Sequence, residues 1–181
     1  WRPRDGWILH YDGKGGDLWT EKEYRDFTLV CDWRWTGQNS GKRNQPVLLP
    51  NGLTKTDAGG KPITVEIDEY DSGVFIRGAG RTQINLWNWP IGSGEVYGIR
   101  VDGNQPLPIR AALTPRVFAD KKVGEWNRFV ITVKGERLTV VLNGKVVLHE
   151  ALLPGVNPQG RLALQNHGNP LEFANVYLRE L

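Results

Sequence analysis

The chain has 181 residues, enough for one sizeable hydrophobic core, and its formal net charge of +3 arises from 23 Lys and Arg against 20 Asp and Glu. Those charges form no basic run that could neutralise a phosphate backbone, which argues against a nucleic-acid partner, and no stretch approaches the roughly 20 apolar residues that span a bilayer. A single cysteine rules out an internal disulfide and a multi-cysteine zinc site.

The predicted elements are short strands and turns. GWILHY is extended, DGKGG is a glycine-rich turn, and LWTEKEY has helix-like spacing over too few residues to define a helix. FTLVCDWRW is a clear strand, with Phe27, Leu29, Cys31, Trp33 and Trp35 on one face and Thr28, Val30, Asp32 and Arg34 on the other. Cys31 therefore reads as a small core hydrophobe, and Trp19, Trp33 and Trp35 as core aromatics. From Gln38 to Pro62 the pattern dissolves into a stretch rich in Gly, Pro, Asn and Lys, a long loop excursion holding at most a small hairpin at VLLPNGLT. Extended structure resumes at ITVEIDEYDSGVFIRG. The region after Pro90 is loop-rich, with short extended pieces at EVYGIRV and PIRAAL. Next comes the best-defined unit, EWNRFVITVKGERLTVVLNGKVVLHE, three antiparallel strands whose second turn is made by Asn143 and Gly144. RLALQNHG and LEFANVYLREL are the last two strands. Many short strands, Gly/Asn/Pro turns and no helix longer than two turns specify an all-β fold, an antiparallel double-sheet sandwich or jelly roll, in one domain over 1–181.

The stretch from Asp71 to Gly98 carries the functional signal. In QINLWNW, Gln83, Asn85, Trp87 and Trp89 face one way while Ile84 and Leu86 face the other. In GVFIRG, Val74 and Ile76 share one side, Phe75 and Arg77 the opposite one. Two neighbouring strands would then share a polar and aromatic face, with amides and a guanidinium for sugar hydroxyls and flat rings for the C–H face of a pyranose. Chain-wide, eight Trp against five Tyr and five Phe point the same way.

The strings GDLWTEKEYRDFTLVCDWRW, DSGVFIRG, VGEWNRFVITVKGERLTVVLNGKVV and LALQNHGNPLEFANVYLREL, in this order, resemble the 3-keto-disaccharide hydrolase domain family, first described as domain of unknown function 1080. Its most specific marks are DSGVFIRG and the closing LQNHG followed by EFANVYLREL. The resemblance implies a concanavalin A-like jelly roll acting on carbohydrate, in a bacterial protein exported to the periplasm or beyond the cell. The chain departs from the family pattern in two places: family members open with an earlier strand ending in a Gly-Trp pair, which is missing before Trp1, and residues 38–71 form a long insertion.

The chemistry implied by the resemblance is cleavage of glycosides already oxidised at C3, with the ketone supplied by a separate oxidoreductase. A C3 ketone acidifies the C2 proton, so the site needs one base and one electrophilic donor instead of two spaced carboxylates. His167 is the first candidate base, because it lies in the LQNHG motif and an unperturbed imidazole titrates near neutrality. Gln165 shares its face. His10 and His149 sit at strand ends outside any motif. Arg77 is the candidate electrophile, and Glu95 in GSGEVYG an alternative base. Asp68, Glu69 and Asp71 form an acidic cluster that could hold a divalent cation or simply be solvated. Phosphate loops, Ser/His/Asp signatures, HExxH spacing and a βαβ unit for a nicotinamide are all missing from the sequence. A non-catalytic, lectin-like binding module and a conventional two-carboxylate glycosidase remain the alternatives.

Overall fold

The computed structural model describes residues 1–11, 14–78 and 80–181. Seven strands form the larger sheet in the order β1 (Arg2–Arg4), β2 (Ile8–Tyr11), β13 (Leu171–Glu180), β4 (Phe27–Trp35), β9 (Asn127–Lys134), β10 (Arg137–Leu142) and β11 (Lys145–Leu152). Four form the smaller one, in the order β3 (Leu18–Tyr24), β12 (Gly160–Leu164), β7 (Asp71–Phe75) and β8 (Gln83–Trp87). Every pairing is antiparallel, including β2 with β13 and β12 with both of its neighbours. The sheets pack face to face: Leu29, Cys31, Trp33, Phe129, Ile131 and Phe173 of the larger meet Val74, Ile84, Leu86, Leu162 and Leu164 of the smaller in one core cluster. This is the all-β sandwich that period-2 alternation leads to, since each strand buries one row of side chains and leaves the other outside.

LWTEKEY, whose helical spacing covers under two turns, is strand β3, paired with β12. Two stretches differ from the expectations above. EVYGIRV and PIRAAL instead contain short helices, α1 (Tyr97–Arg100) and α2 (Leu107–Ala112), the second entered through Pro106 with proline in its first turn, where the missing N–H costs nothing. The long excursion is paired: β5 (Lys42–Pro46) and β6 (Thr64–Asp68) form a two-stranded sheet, prolonged by bridges between Leu48 and Thr54 and between Thr56 and Pro62. Among the described residues, no helix is long and apolar enough to cross a membrane.

Candidate functional site

The outer face of the smaller sheet is built row by row from strand register. Trp19, Ala163, Phe75 and Gln83 stand in one row, because Trp19 pairs with Ala163, Ala163 with Phe75, and Phe75 with Gln83. Trp19 stacks on Phe75 at 5.7 Å across the small Ala163, so both serve this face and not the central core. In the next row Gly73 lies opposite Asn85. A side chain at Gly73 would collide with Gln83, whose Cδ would lie 2.8 Å from a Cβ there; the glycine lets the Gln83 amide cross β7 and donate to Gln165 Oε1. Asp71 and Trp87 make the last row.

Beyond this row the chain folds back over Trp87. The Trp87 indole N–H donates to the Gly92 carbonyl at 2.6 Å, and Ser93 Oγ donates to the Trp87 carbonyl at 2.9 Å. Trp89 stacks on Trp87 with ring centroids 3.7 Å apart, and Tyr97 stands edge-on to both, at 5.9 and 6.1 Å. The β5–β6 arm brings Arg43 over Trp89, 5.8 Å from the ring centroid, while its Nη1 binds Glu69 Oε1 at 2.6 Å. The result is a groove of about 300 Å³ lined by Arg43, Asp71, Gln83, Asn85, Trp87, Trp89, Tyr97, Gln165 and His167.

At its floor the His167 imidazole Nδ1 lies 3.9 Å from Asp71 Oδ2. Burial pushes the Asp71 carboxyl up to about 6; the charges of His167 and Arg43 pull the other way, and Glu69 adds to the rise. Asn169, almost wholly buried, holds the strand start, its Oδ1 accepting from the Asp71 N–H at 3.0 Å and from Ser40 Oγ at 3.1 Å. Three buried polar atoms of the groove wall, Asp71 Oδ1, Asn85 Oδ1 and Trp89 Nε1, have no hydrogen-bond partner among the described residues. Unsatisfied buried groups are costly, and two acceptors with one donor beside stacked indoles match a hydroxyl-rich, C–H-faced ligand.

Seven of the sequence-derived positions thus line one groove: His167, Gln165, Gln83, Asn85, Trp87, Trp89 and, from the acidic cluster, Asp71. Phe75 shares the row of Gln83 but lies stacked with Trp19, outside the groove lining. Arg77 does not join them. Strand β7 ends at Phe75, and Arg77 takes a left-handed φ of 52°, which breaks the alternation and sends its guanidinium to the Arg25 and Gly135 carbonyls and to Asp26. Glu95 is fully buried and ion-paired with Arg100; burial pushes its carboxyl up to about 7 against the pull of that arginine, and in this conformation it is sealed from the groove. His10 faces Glu172 on the larger sheet, and His149 lies on β11. The acidic cluster does not converge, since Lys42 pairs with Asp68, Arg43 with Glu69, and His167 faces Asp71; among the described residues no group of three or more metal-ligating side chains occurs. Sequence reasoning missed Arg43, hidden in a stretch without periodicity, and Tyr97, read as part of a strand.

The architecture defines the class, a two-sheet antiparallel β-sandwich with an aromatic and amide-lined groove on the outer face of its smaller sheet. More particularly, the chain belongs to the 3-keto-alpha-glucoside-1,2-lyase-like domain family, whose model matches residues 1–179. Solved structures share the fold. A candidate glycosyl hydrolase from Parabacteroides distasonis ATCC 8503 matches at 20% identity over 100% of this chain and 74% of that one, with a TM-score of 0.59. Another from the same organism matches at 18%, covering 100% and 83%, with a TM-score of 0.60. Carbohydrate binding module CBM66 from Bacillus subtilis matches at 12%, covering 96% and 91%, with a TM-score of 0.50. Among curated proteins, none matches the sequence.

Proposed function

We propose that this chain cleaves glycosides whose sugar carries a ketone at C3, by elimination across C1 and C2 followed by hydration. The observation that carries this reading is the grouping, in one groove walled by stacked indoles, of an imidazole–carboxylate pair and a guanidinium, Asp71–His167 and Arg43. His167 takes the C2 proton, and Asp71 holds the imidazole Nδ1–H so that Nε2 is the free acceptor; the 3.9 Å separation shortens to a hydrogen bond when substrate closes the groove. Electrons left on C2 move onto the C3 oxygen, where Arg43 stabilises the enolate. When the C3 carbonyl re-forms, a C1–C2 double bond forms and the C1–O bond breaks, the leaving oxygen taking a proton. Water then adds its hydroxyl to C1 and a proton to C2, which completes net hydrolysis. Trp89 supports the C–H face of the sugar, and Gln83, Gln165 and Asn85 hold its hydroxyls. Arg43 thereby takes the part that sequence reasoning gave to Arg77. In this reading the protein works outside the cytoplasm on sugars that a separate oxidoreductase has oxidised.

The test is release of a chromogenic aglycone from matched glucosides, one plain and one oxidised at C3, by the wild type and His167→Ala. Release from the keto substrate alone, lost in the variant, is expected. Release from the plain glucoside would overturn the mechanism in favour of a two-carboxylate glycosidase, and saturable sugar binding without release from either would make this a binding module.

A further inference from the structure

The reaction proposed above leaves one proton unassigned, the one taken by the leaving oxygen when the C1–O bond breaks. Of the side chains lining the groove, three can exchange a proton in acid–base catalysis: Asp71, His167 and Tyr97. Asp71 and His167 face each other and are committed to the C2 proton. Arg43 is a guanidinium, which does not give its proton up, and the Gln83 amide is bound to Gln165. Tyr97 is left without a role. It is 40% exposed, and its hydroxyl forms no hydrogen bond with any described residue.

Its place in the fold is fixed from several directions. After β8 the chain returns along the open edge of that strand, where the Gly94 N–H donates to the Asn85 carbonyl at 2.8 Å and the Asn85 N–H to the Glu95 carbonyl at 2.9 Å. Tyr97 follows at once, as the first residue of α1. The Arg100 guanidinium lies 5.4 Å from the centroid of its ring and is ion-paired with the buried Glu95, while the ring stands edge-on to Trp87 and Trp89. His167 enters from the opposite side, after β12, and both β7 with Asp71 and β8 with Trp87 lie between the two residues. Imidazole and phenol thus flank the indole platform across about two strand spacings, roughly 10 Å, which leaves room for one pyranose ring.

Resting on the reaction proposed above, we propose that Tyr97 is its second acid–base residue, the one that serves the leaving group. As the C1–O bond breaks, the Tyr97 O–H gives its proton to the departing oxygen, and the electron pair of that O–H bond stays on the phenolate. In the hydration step the phenolate takes a proton from water as the water oxygen bonds to C1, and the His167 imidazolium returns its proton to C2. Both residues end as they began, and one water is consumed. The proton matters where the leaving group is an alkoxide, as in glycosides of sugars and other alcohols; a nitrophenolate departs without it.

The experiment compares wild type and Tyr97→Phe on two 3-keto-glucosides, one with a 4-nitrophenyl and one with an ethyl aglycone, and follows exchange of the C2 hydrogen in heavy water. The loss of kcat in the variant should be at least ~30-fold greater for the ethyl substrate than for the nitrophenyl one, since general acid catalysis is worth roughly 10²–10⁴-fold. C2 exchange should persist in Tyr97→Phe, whose ring still packs on the indoles, and be lost in His167→Ala. Equal losses on the two substrates, no loss on either, or loss of C2 exchange in Tyr97→Phe would overturn the assignment. A wild type that neither releases an aglycone nor exchanges C2 would overturn the reaction itself, and the role of Tyr97 with it.

Discussion

Asp71 sits at a sheet surface, shielded from water and facing an imidazole, and both conditions act on its proton. With burial pushing the carboxyl up to about 6, the pair has its carboxylate form only above that pH, so kcat/KM should rise with pH through about 6 and level off beyond it. Asp71→Asn should flatten this limb and lower kcat about 100-fold or more. The same shift bears on stability. A folded-state pKa above the unfolded value means that the contribution of Asp71 is fully present below about pH 4 and lost as pH rises through about 6, so Asp71→Asn should be the more stable protein at pH 8, by on the order of 1–2 kcal/mol in urea melts. Loss of activity together with gained stability would separate a functional carboxylate from a structural one. Arg43 predicts differently. Arg43→Met removes the cation from the face of Trp89 and should cut kcat on the keto substrate about 100-fold with Tm within a few degrees of wild type, while Arg43→Lys, lacking the planar fork, should recover only part. Unchanged kcat in the methionine variant would remove Arg43 from the chemistry.

Strands were legible in the sequence wherever one face was buried, because alternation is then enforced by the core: FTLVCDWRW, QINLW and NRFVITVK each coincide with an observed strand. Legibility failed where short segments read as extended are helical, as in α1 and α2, and where a side chain left its strand. Arg77 is the instructive case. Alternation assigned it to the groove face, but β7 had already ended, and a left-handed residue inverts every expectation that follows it. Of the groove, the residues on β8 and in LQNHG could be read, whereas Arg43 and Tyr97 come from segments whose position depends on long-range packing. Two glycines make the element-scale argument testable. A Cβ at Gly160 would come within 2.6 Å of the Arg77 carbonyl oxygen, a backbone atom that β12 holds in place, so Gly160→Ala should cost about 1–3 kcal/mol of unfolding free energy. At Gly73 the obstacle is only the flexible Gln83 side chain. Gly73→Ala should melt close to wild type yet raise KM, because Gln83 would be turned away from Gln165. Equal destabilisation by both would mean that the Gln83–Gln165 bridge supports the fold and not the ligand.

At the scale of the whole molecule, the sandwich and the β5–β6 arm should behave as two units of stability. In the strands of the arm only Gln45 is buried, with Gly52 buried at its tip against Arg110 and Thr114, and those strands show no alternating buried row, whereas β9 and β10 bury every second residue in the middle of the larger sheet. The arm is also closed at its base, where the Ser40 N–H donates to the Glu69 carbonyl and the Glu69 N–H to the Gly41 carbonyl, both at 2.8 Å. It can therefore open, or be excised between Gly41 and Glu69, without parting any strand of the sandwich. Hydrogen exchange should show the β5 and β6 amides protected about 100-fold or more below those of β9 and β10, through local opening that leaves the core intact. Replacing residues 42–68 by a short Gly-Ser turn should give a folded protein that melts cooperatively but has lost Arg43, and with it turnover of the keto substrate, while plain-sugar binding at Trp89 persists in weakened form. If arm and core amides instead exchange at one common rate, the arm unfolds only with the sandwich, and Arg43 is then held as rigidly as the strands that carry Asp71 and Trp87.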